Sequence, residues 1–145
     1  MKKRLFLNLL IVFLVSTSLL GQTKTDPWNA QQLKEPNDLA AVIKTRPSQA
    51  PLIICVGPSA LIKGSVDAGP AREQENLDHL KSLLSKEPRN REVVIYCGCC
   101  PFERCPNIRP AFTLLKQMKF KNARLLNLPH NLKTDWIDKG YPITD

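Results

Sequence analysis

The sequence predicts an α/β domain in which a parallel β-sheet carries helices on both faces. Residues 52–56 are a continuous apolar run with turn signals on both sides, which is typical of a buried strand; residues 92–97 predict the next buried strand and residues 123–129 a third strand. Stretches with apolar residues at helical spacing separate these runs, and strands that alternate with helices form a parallel sheet covered on both faces. Because ligands of such folds bind outside the carboxyl ends of the strands, we expect the functional residues there.

The chain begins with a stretch typical of a secretory signal peptide, predicted over residues 1–21. Three basic residues precede an apolar run at 5–15, and small residues follow it. A membrane-spanning helix needs about 20 apolar residues, and this run is shorter and interrupted by polar side chains. We therefore expect an exported protein, periplasmic or secreted, with no stable membrane insertion after cleavage; a retained anchor is the alternative. Residues 22–27 are a polar linker, and 28–145 form one domain.

Helices are predicted between and after the strands. Asn37–Asp38 can cap the first, which carries Leu39, Val42 and Ile43 on one face. Residues 57–70 predict a loop with a short extended piece, and 71–86 a second helix with a leucine stripe. Pro110 is tolerated only in a first helical turn, so the third helix begins no earlier than about Asn107. Trp28, Trp136 and Tyr141 are expected to pack the domain closed.

The charge of the chain is moderately basic, with a formal net charge of +8. Three basic residues lie in the predicted signal peptide, which leaves 18 basic and 13 acidic residues. Residues 104–124 hold six basic side chains and no acidic one, which favours a small anionic ligand. Nucleic acid is not an expected partner, because the chain is predicted to be exported and has no interleaved aromatic stripe.

Four of the five cysteines follow the second predicted strand within nine positions. They are Cys97, Cys99, Cys100 and Cys105. A thiol at a strand end, before a helix, faces backbone N–H groups and the positive helix end, which favour the thiolate. Arg104 and Arg109 add positive charge beside this loop. The pattern predicts an activated sulfur nucleophile.

The stretches "VVIYC", "LLKQMKFKNARLLNL" and "DWIDKGYPI" resemble the second half of a rhodanese domain. Phe120, Trp136, Gly140, Tyr141 and Pro142 match aromatic and turn positions of that family, and the resemblance extends over residues 28–143. The first half departs from the family pattern. Cys55 and Gly57 stand where the family has Asp and Arg, and Leu61 replaces a His.

The resemblance implies a sulfurtransferase without a cofactor. Cys97 would attack thiosulfate or another anionic sulfane donor, carry the sulfur as a persulfide, and pass it to a thiol or cyanide. Alignment of the strand end favours Cys97, whereas the spacing of five residues before Arg104 favours Cys99. The loop residues Gly98, Cys99 and Cys100 would bind the substrate, together with Arg104 and Arg109.

Other interpretations of the same cysteines stay open. In an oxidising compartment, Cys105 could form a disulfide with Cys99 or Cys100, as a structural staple or a redox switch, and Cys97 with Cys99 would form a more strained pair. Cys100 and Cys105 are thus candidates for a disulfide or a resolving role, and the alternative functions are a thiol–disulfide redox protein and a non-catalytic rhodanese-like binding module. Four thiolates would also suit zinc or Cu(I), although one compact cluster lacks the paired spacing of zinc sites, so no metal is predicted. Cys55 is expected to be a buried core residue, and His79 and His130 to be exposed.

Overall fold

A computed structural model describes residues 25–145 as an α/β domain on a five-stranded sheet. Its strands are β1 (Leu33–Lys34), β2 (Leu52–Cys55), β3 (Val66–Asp67), β4 (Glu92–Tyr96) and β5 (Asn122–Leu126). Its helices are α1 (Pro36–Thr45), α2 (Gln74–Ser85), α3 (Ile108–Gln117) and α4 (Leu132–Asp135), with short 3₁₀ turns between elements. The strand order is β1-β5-β4-β2-β3, and every pairing is parallel. The predicted α/β class with a parallel sheet is confirmed.

The sheet has a separate apolar core on each face. Alternate residues of the central strands point to opposite sides, so Val93 and Ile95 pack with α2 and α3, whereas Val94 and Tyr96 pack with α1 and α4. Burial on both sides explains why β2, and β4 from Val93 onward, are apolar with no polar alternation. Helices therefore cover both faces, as predicted.

Three strands and three helices lie near their predicted positions, and the differences are local. The first helix begins at Pro36 with Glu35 as its N-cap, so the predicted cap at Asn37–Asp38 is wrong. Proline suits the first helical position because its φ is already helical and its missing N–H is not needed there. The strand predicted over 123–129 ends at Leu126. β1 and α4 were not predicted, because two- and four-residue elements carry no periodic signal.

Trp28, Trp136 and Tyr141 pack against the rest of the domain, as expected. Trp136 is fully buried, lies 5.2 Å from Tyr141 between ring centroids, and donates its indole N–H to the carbonyl of Pro142. Trp28 packs edge-on against Phe102 and Phe112. His79 and His130 are exposed, as predicted.

The amino-terminal predictions are only partly within the described structure. The predicted signal peptide at 1–21 and the first half of the linker lie outside residues 25–145. Within those residues, none of the helices is long and apolar enough to cross a membrane.

Candidate active site

Cys97 directly follows the central strand β4, at the point where the direction of the sheet connections reverses. From β2 the chain proceeds to β3 on one side, and from β4 it proceeds to β5 on the other. A crevice forms at such a switch point, outside the carboxyl ends of the two strands. Gly57, which lies two residues after the end of β2, is in contact with Cys97 across this crevice. A Cβ atom added at Gly57 would lie 2.6 Å from the Cys97 Sγ, so any larger residue would displace the thiol.

The side chain of Asn107 also contacts the Cys97 thiol. Asn107 occupies the N-cap position of α3, yet its side chain makes no capping hydrogen bond. Instead its Oδ1 accepts a hydrogen bond from the Arg72 backbone N–H at 3.1 Å, and its Nδ2 donates to the Cys97 Sγ at 3.5 Å. Because a backbone N–H can only donate, the Arg72 contact fixes the orientation of the amide. Asn107 is 4% exposed, so this contact is shielded from water.

The surroundings of Cys97 favour its thiolate. The pKa of Cys97 is lowered to about 5, chiefly by a hydrogen bond from the Cys105 thiol. Burial opposes the shift, and the Asn107 amide, the Cys99 backbone N–H and the Cys99 thiol add to it. Donors that stabilise the charged form lower a pKa even at a buried site. Cys97 is therefore ionised at neutral pH.

The thiols of Cys99 and Cys105 stay protonated. The pKa of Cys99 is raised to about 12, first by desolvation and then by hydrogen bonding with Cys100 and Cys97. The pKa of Cys105 is raised, chiefly because its thiol donates to Cys97. Of the two nucleophiles that the sequence left open, the electrostatics favour Cys97. Cys97 is only 1% exposed, whereas Cys99 is exposed to solvent.

The cysteine cluster is compact, and all five cysteines of the chain are free thiols. The Sγ of Cys99 lies 3.4 Å from that of Cys97 and 3.4 Å from that of Cys100. The sulfurs of Cys97, Cys99 and Cys105 all lie within 4.8 Å of one another. Thiols at these separations can be joined by a disulfide once one of the sulfurs has been oxidised, and three of them could also hold a soft metal ion.

The two predicted anion-binding arginines lie in different environments. Arg104 ends a 3₁₀ turn at Phe102–Arg104, and its exposed guanidinium has no ion-pair or hydrogen-bond partner among residues 25–145. Arg109 instead forms an ion pair with Asp26 at 2.5 Å and packs over the ring of Trp28. It thus ties the segment before β1 to α3. A role for Arg109 in substrate binding stays a prediction, and Arg104 is the arginine free to bind an anion.

An open cleft of about 230 Å³ borders the cluster. It is lined by Gly98, Cys99, Leu61 and Leu132, together with Pro58, Ser59, Lys133 and Ile137. The Gly98 carbonyl accepts from the Leu132 N–H at 3.0 Å, and a Cβ at Gly98 would lie 2.8 Å from the Leu132 Cβ. Gly98 therefore lets α4 pack against the loop. Because Cys99 lines the cleft, it is the thiol that a ligand there would meet.

The other residues that the sequence singled out lie either in the core or at the cleft. Cys55 is fully buried and donates its thiol to the Ser59 carbonyl at 3.2 Å, which confirms its expected core position. Leu61 is 42% exposed, at the cleft. Asn107 was considered only as a helix-opening residue, and its contact with Cys97 was missed. The one sequence feature that could have indicated this contact is an asparagine at a helix start, ten residues after Cys97. Asparagine is common at helix N-caps, however, so its presence there does not by itself indicate a contact with the cysteine.

The arrangement supplies a preformed thiolate, two adjacent protonated thiols and a cleft that exposes one of them. Such a site can perform nucleophilic attack on an electrophilic sulfur and thiol–disulfide exchange. Comparison of the chain with protein-family models and with curated proteins found no match in either set.

Proposed function

We propose that the protein is a sulfurtransferase that carries sulfane sulfur on Cys97. The observation that carries the proposal is the buried Cys97 thiol at the end of β4, which accepts a hydrogen bond from the oriented Asn107 amide and has a pKa lowered to about 5. A thiolate formed without an added base is the first requirement for attack on a sulfur donor.

The proposed reaction has two half-reactions. In the first, the Cys97 thiolate attacks the outer sulfur of thiosulfate, the sulfur–sulfur bond of the donor breaks, and sulfite leaves as Cys97 becomes a persulfide. In the second, a thiol or cyanide takes the outer sulfur and restores the thiolate. Because Cys97 is 1% exposed, the loop that carries Cys99 must open for the donor to enter. Arg104, whose guanidinium has no ion-pair or hydrogen-bond partner within residues 25–145, is the proposed cation for the anionic donor.

We also propose that the fold is of the rhodanese type. A parallel sheet with a nucleophilic cysteine after its central strand supports this. The packing of Trp136 on Tyr141, near the carboxyl end of the chain, also supports it. The departures from the family pattern have a local physical account. Gly57 abuts the Cys97 sulfur, so an arginine could not occupy that position in this structure, and Leu61 makes the cleft more apolar.

Export to the periplasm or medium is part of the same proposal and rests on the amino-terminal sequence alone. The mass of the protein recovered from the exported fraction should correspond to a chain that starts near residue 22. Recovery of the uncleaved chain from the cytoplasm alone would contradict this.

The test of the transferase proposal is mass spectrometry of the reduced protein after incubation with thiosulfate. We expect release of sulfite and transient gain of one sulfur atom, both lost in Cys97→Ser. The variant Cys55→Ser is the matched control, because that cysteine packs against the opposite face of the sheet and bonds to Ser59. Absence of sulfite release and of any sulfur adduct in the wild-type protein would overturn the proposal.

Soft-metal binding is a second candidate, favoured by one observation. The sulfurs of Cys97, Cys99 and Cys105 lie within 4.8 Å of one another, which suits a three-coordinate thiolate site for Cu(I). Titration of the reduced protein with Cu(I) in competition with a chelator would test it. Stoichiometric binding that disappears in Cys105→Ser would support a metal site, and no binding in the wild-type protein would exclude Cu(I).

A further inference from the structure

Cys99 lies beside the proposed sulfur carrier, and the proposed reaction gives it no role. Its Sγ is 3.4 Å from the Cys97 Sγ, and it faces the open cleft while Cys97 is buried. One residue, Gly98, separates the two cysteines. A thiol this close to a persulfide has two possible targets, the outer sulfur and the inner sulfur, and the inner sulfur is the original Sγ of Cys97.

The geometry favours attack on the inner sulfur. We expect the contacts of Gly57 and Asn107 with the Cys97 Sγ to persist after persulfide formation, which would leave the Cys99 Sγ near its present distance of 3.4 Å. A disulfide requires the two sulfurs to approach to about 2.05 Å, which is a movement of about 1.4 Å in a loop that already must open for the donor. A disulfide across a single intervening residue is strained and therefore easily reduced again.

The other two thiols are less well placed. Cys105 is fully buried, so a disulfide with it would be inaccessible to a reductant from the cleft. Cys100 contacts the Cys99 sulfur at 3.4 Å, and among the described residues it has no such contact with Cys97. Cys99 alone combines contact with Cys97 and a place in the cleft.

We propose, on the basis of the proposed sulfurtransferase function, that Cys99 resolves the Cys97 persulfide within the chain and releases sulfide. The Cys99 sulfur bonds to the Cys97 Sγ, and the bond between the inner and outer sulfurs breaks. The outer sulfur leaves as hydrosulfide and takes the proton of the Cys99 thiol. The two cysteines are oxidised to a disulfide as the sulfane sulfur is reduced to sulfide. Thiosulfate and two thiols thus give sulfite, sulfide and a disulfide, and a dithiol reductant entering the cleft restores the enzyme.

The test is a single turnover with the reduced full-length protein, thiosulfate and no added thiol. We expect sulfite and sulfide in a one-to-one ratio, and one of each per protein molecule. Trypsin separates Cys105 from the other three thiols, because cleavage after Arg91 and Arg104 gives peptides 92–104 and 105–116. The new disulfide should therefore lie within peptide 92–104, which loses two hydrogens, with fragmentation that places it between Cys97 and Cys99.

The variants separate this proposal from the sulfurtransferase proposal. Cys99→Ser should still release sulfite but release at least tenfold less sulfide, and it should retain the extra sulfur on Cys97. Cys55→Ser should behave as the wild type. Wild-type protein that keeps a stable persulfide and releases no sulfide would overturn this proposal while the sulfurtransferase stands, as would a cross-link between peptides 92–104 and 105–116. No sulfite from any variant would overturn both.

Discussion

Replacement of Asn107 should raise the pKa of Cys97, because its side-chain amide donates to the Cys97 sulfur at 3.5 Å. Hydrogen bonds to charged groups contribute about 1.5–3 kcal/mol, and the long N to S distance puts this one at the lower end. A loss of about 1.4 kcal/mol corresponds to about one pKa unit. From a starting pKa of about 5, Asn107→Ala should therefore bring the Cys97 pKa to about 6.

The effect should depend on pH in a defined direction. At about pH 5.5 the thiolate fraction should fall from about three quarters to about one quarter, and sulfite release should slow about threefold. At about pH 8 both proteins are almost fully ionised at Cys97, so their rates should agree within about 20%. A uniform loss of activity at both pH values would instead indicate a structural defect.

Ultraviolet thiolate absorbance as a function of pH measures this pKa without requiring access to the buried sulfur. The pKa values of Cys55, Cys99 and Cys105 are all raised, so Cys97→Ser identifies the low-pH transition by removing it. Asn107→Asp is the matched variant, since it keeps an acceptor for the Arg72 N–H and replaces the donor by a negative charge. It should raise the Cys97 pKa further than Asn107→Ala. An unchanged midpoint in both variants would refute the reasoning.

Three other predictions follow from the same contacts. The free energy of unfolding should rise from about pH 5 to about pH 8.5, by at most about 1.4 kcal/mol per pH unit. The reason is that the pKa of Cys97 is lower in the folded protein than in the unfolded chain. The resulting stabilisation is complete above the pKa of the unfolded chain and is lost as the pH falls to the pKa of the folded protein. Denaturation of Cys97→Ser should lack this rise, and a rise that persists would contradict the assignment. Gly57→Ala should destabilise the protein by about 1–3 kcal/mol and slow sulfite release, because its Cβ would meet the Cys97 sulfur at 2.6 Å. The control variant Gly64→Ala should be less stable but equally active, because φ is +78° at Gly64 and nothing lies within 4 Å of the added Cβ. If Gly64→Ala lost as much activity as Gly57→Ala, contact with the Cys97 sulfur would not explain the effect of Gly57→Ala. Arg104→Gln should raise KM for thiosulfate several-fold at low salt with unfolding unchanged within about 0.5 kcal/mol, and an unchanged KM would remove Arg104 from donor binding.

The sheet was predictable because its central strands carry an unambiguous signal. β2 and the residues of β4 after Glu92 are buried on both faces and are therefore all apolar, and the helices beside these strands have apolar residues at helical spacing. The same logic fails at the edges. β1 has two residues, and its parallel pairing with β5 joins Leu33 to Leu125, far apart in the chain. Local sequence carries no information on such a pairing.

The position of the candidate site in the fold could be predicted from the sequence, but the residues that surround Cys97 could be predicted only in part. The sequence puts Cys97 after a buried strand and Asn107 before a helix, but it does not bring their side chains together. The choice between Cys97 and Cys99 also needed the folded environment, because both thiols follow the same strand. Their pKa values diverge through burial and through the direction of each hydrogen bond.

The amino-acid sequence alone predicts the α/β class, the parallel sheet, the placement of a cysteine cluster at a strand end and the core position of Cys55. These depend on local apolar patterns and on chain order, which the sequence contains directly. The folded chain is needed to show that Gly57 abuts the Cys97 sulfur, that Asn107 is oriented by the Arg72 N–H, and that Cys99 faces the cleft. Those contacts join segments 35 or more residues apart, or depend on which way a loop turns, and such relations are fixed only when the sheet brings the strand ends together.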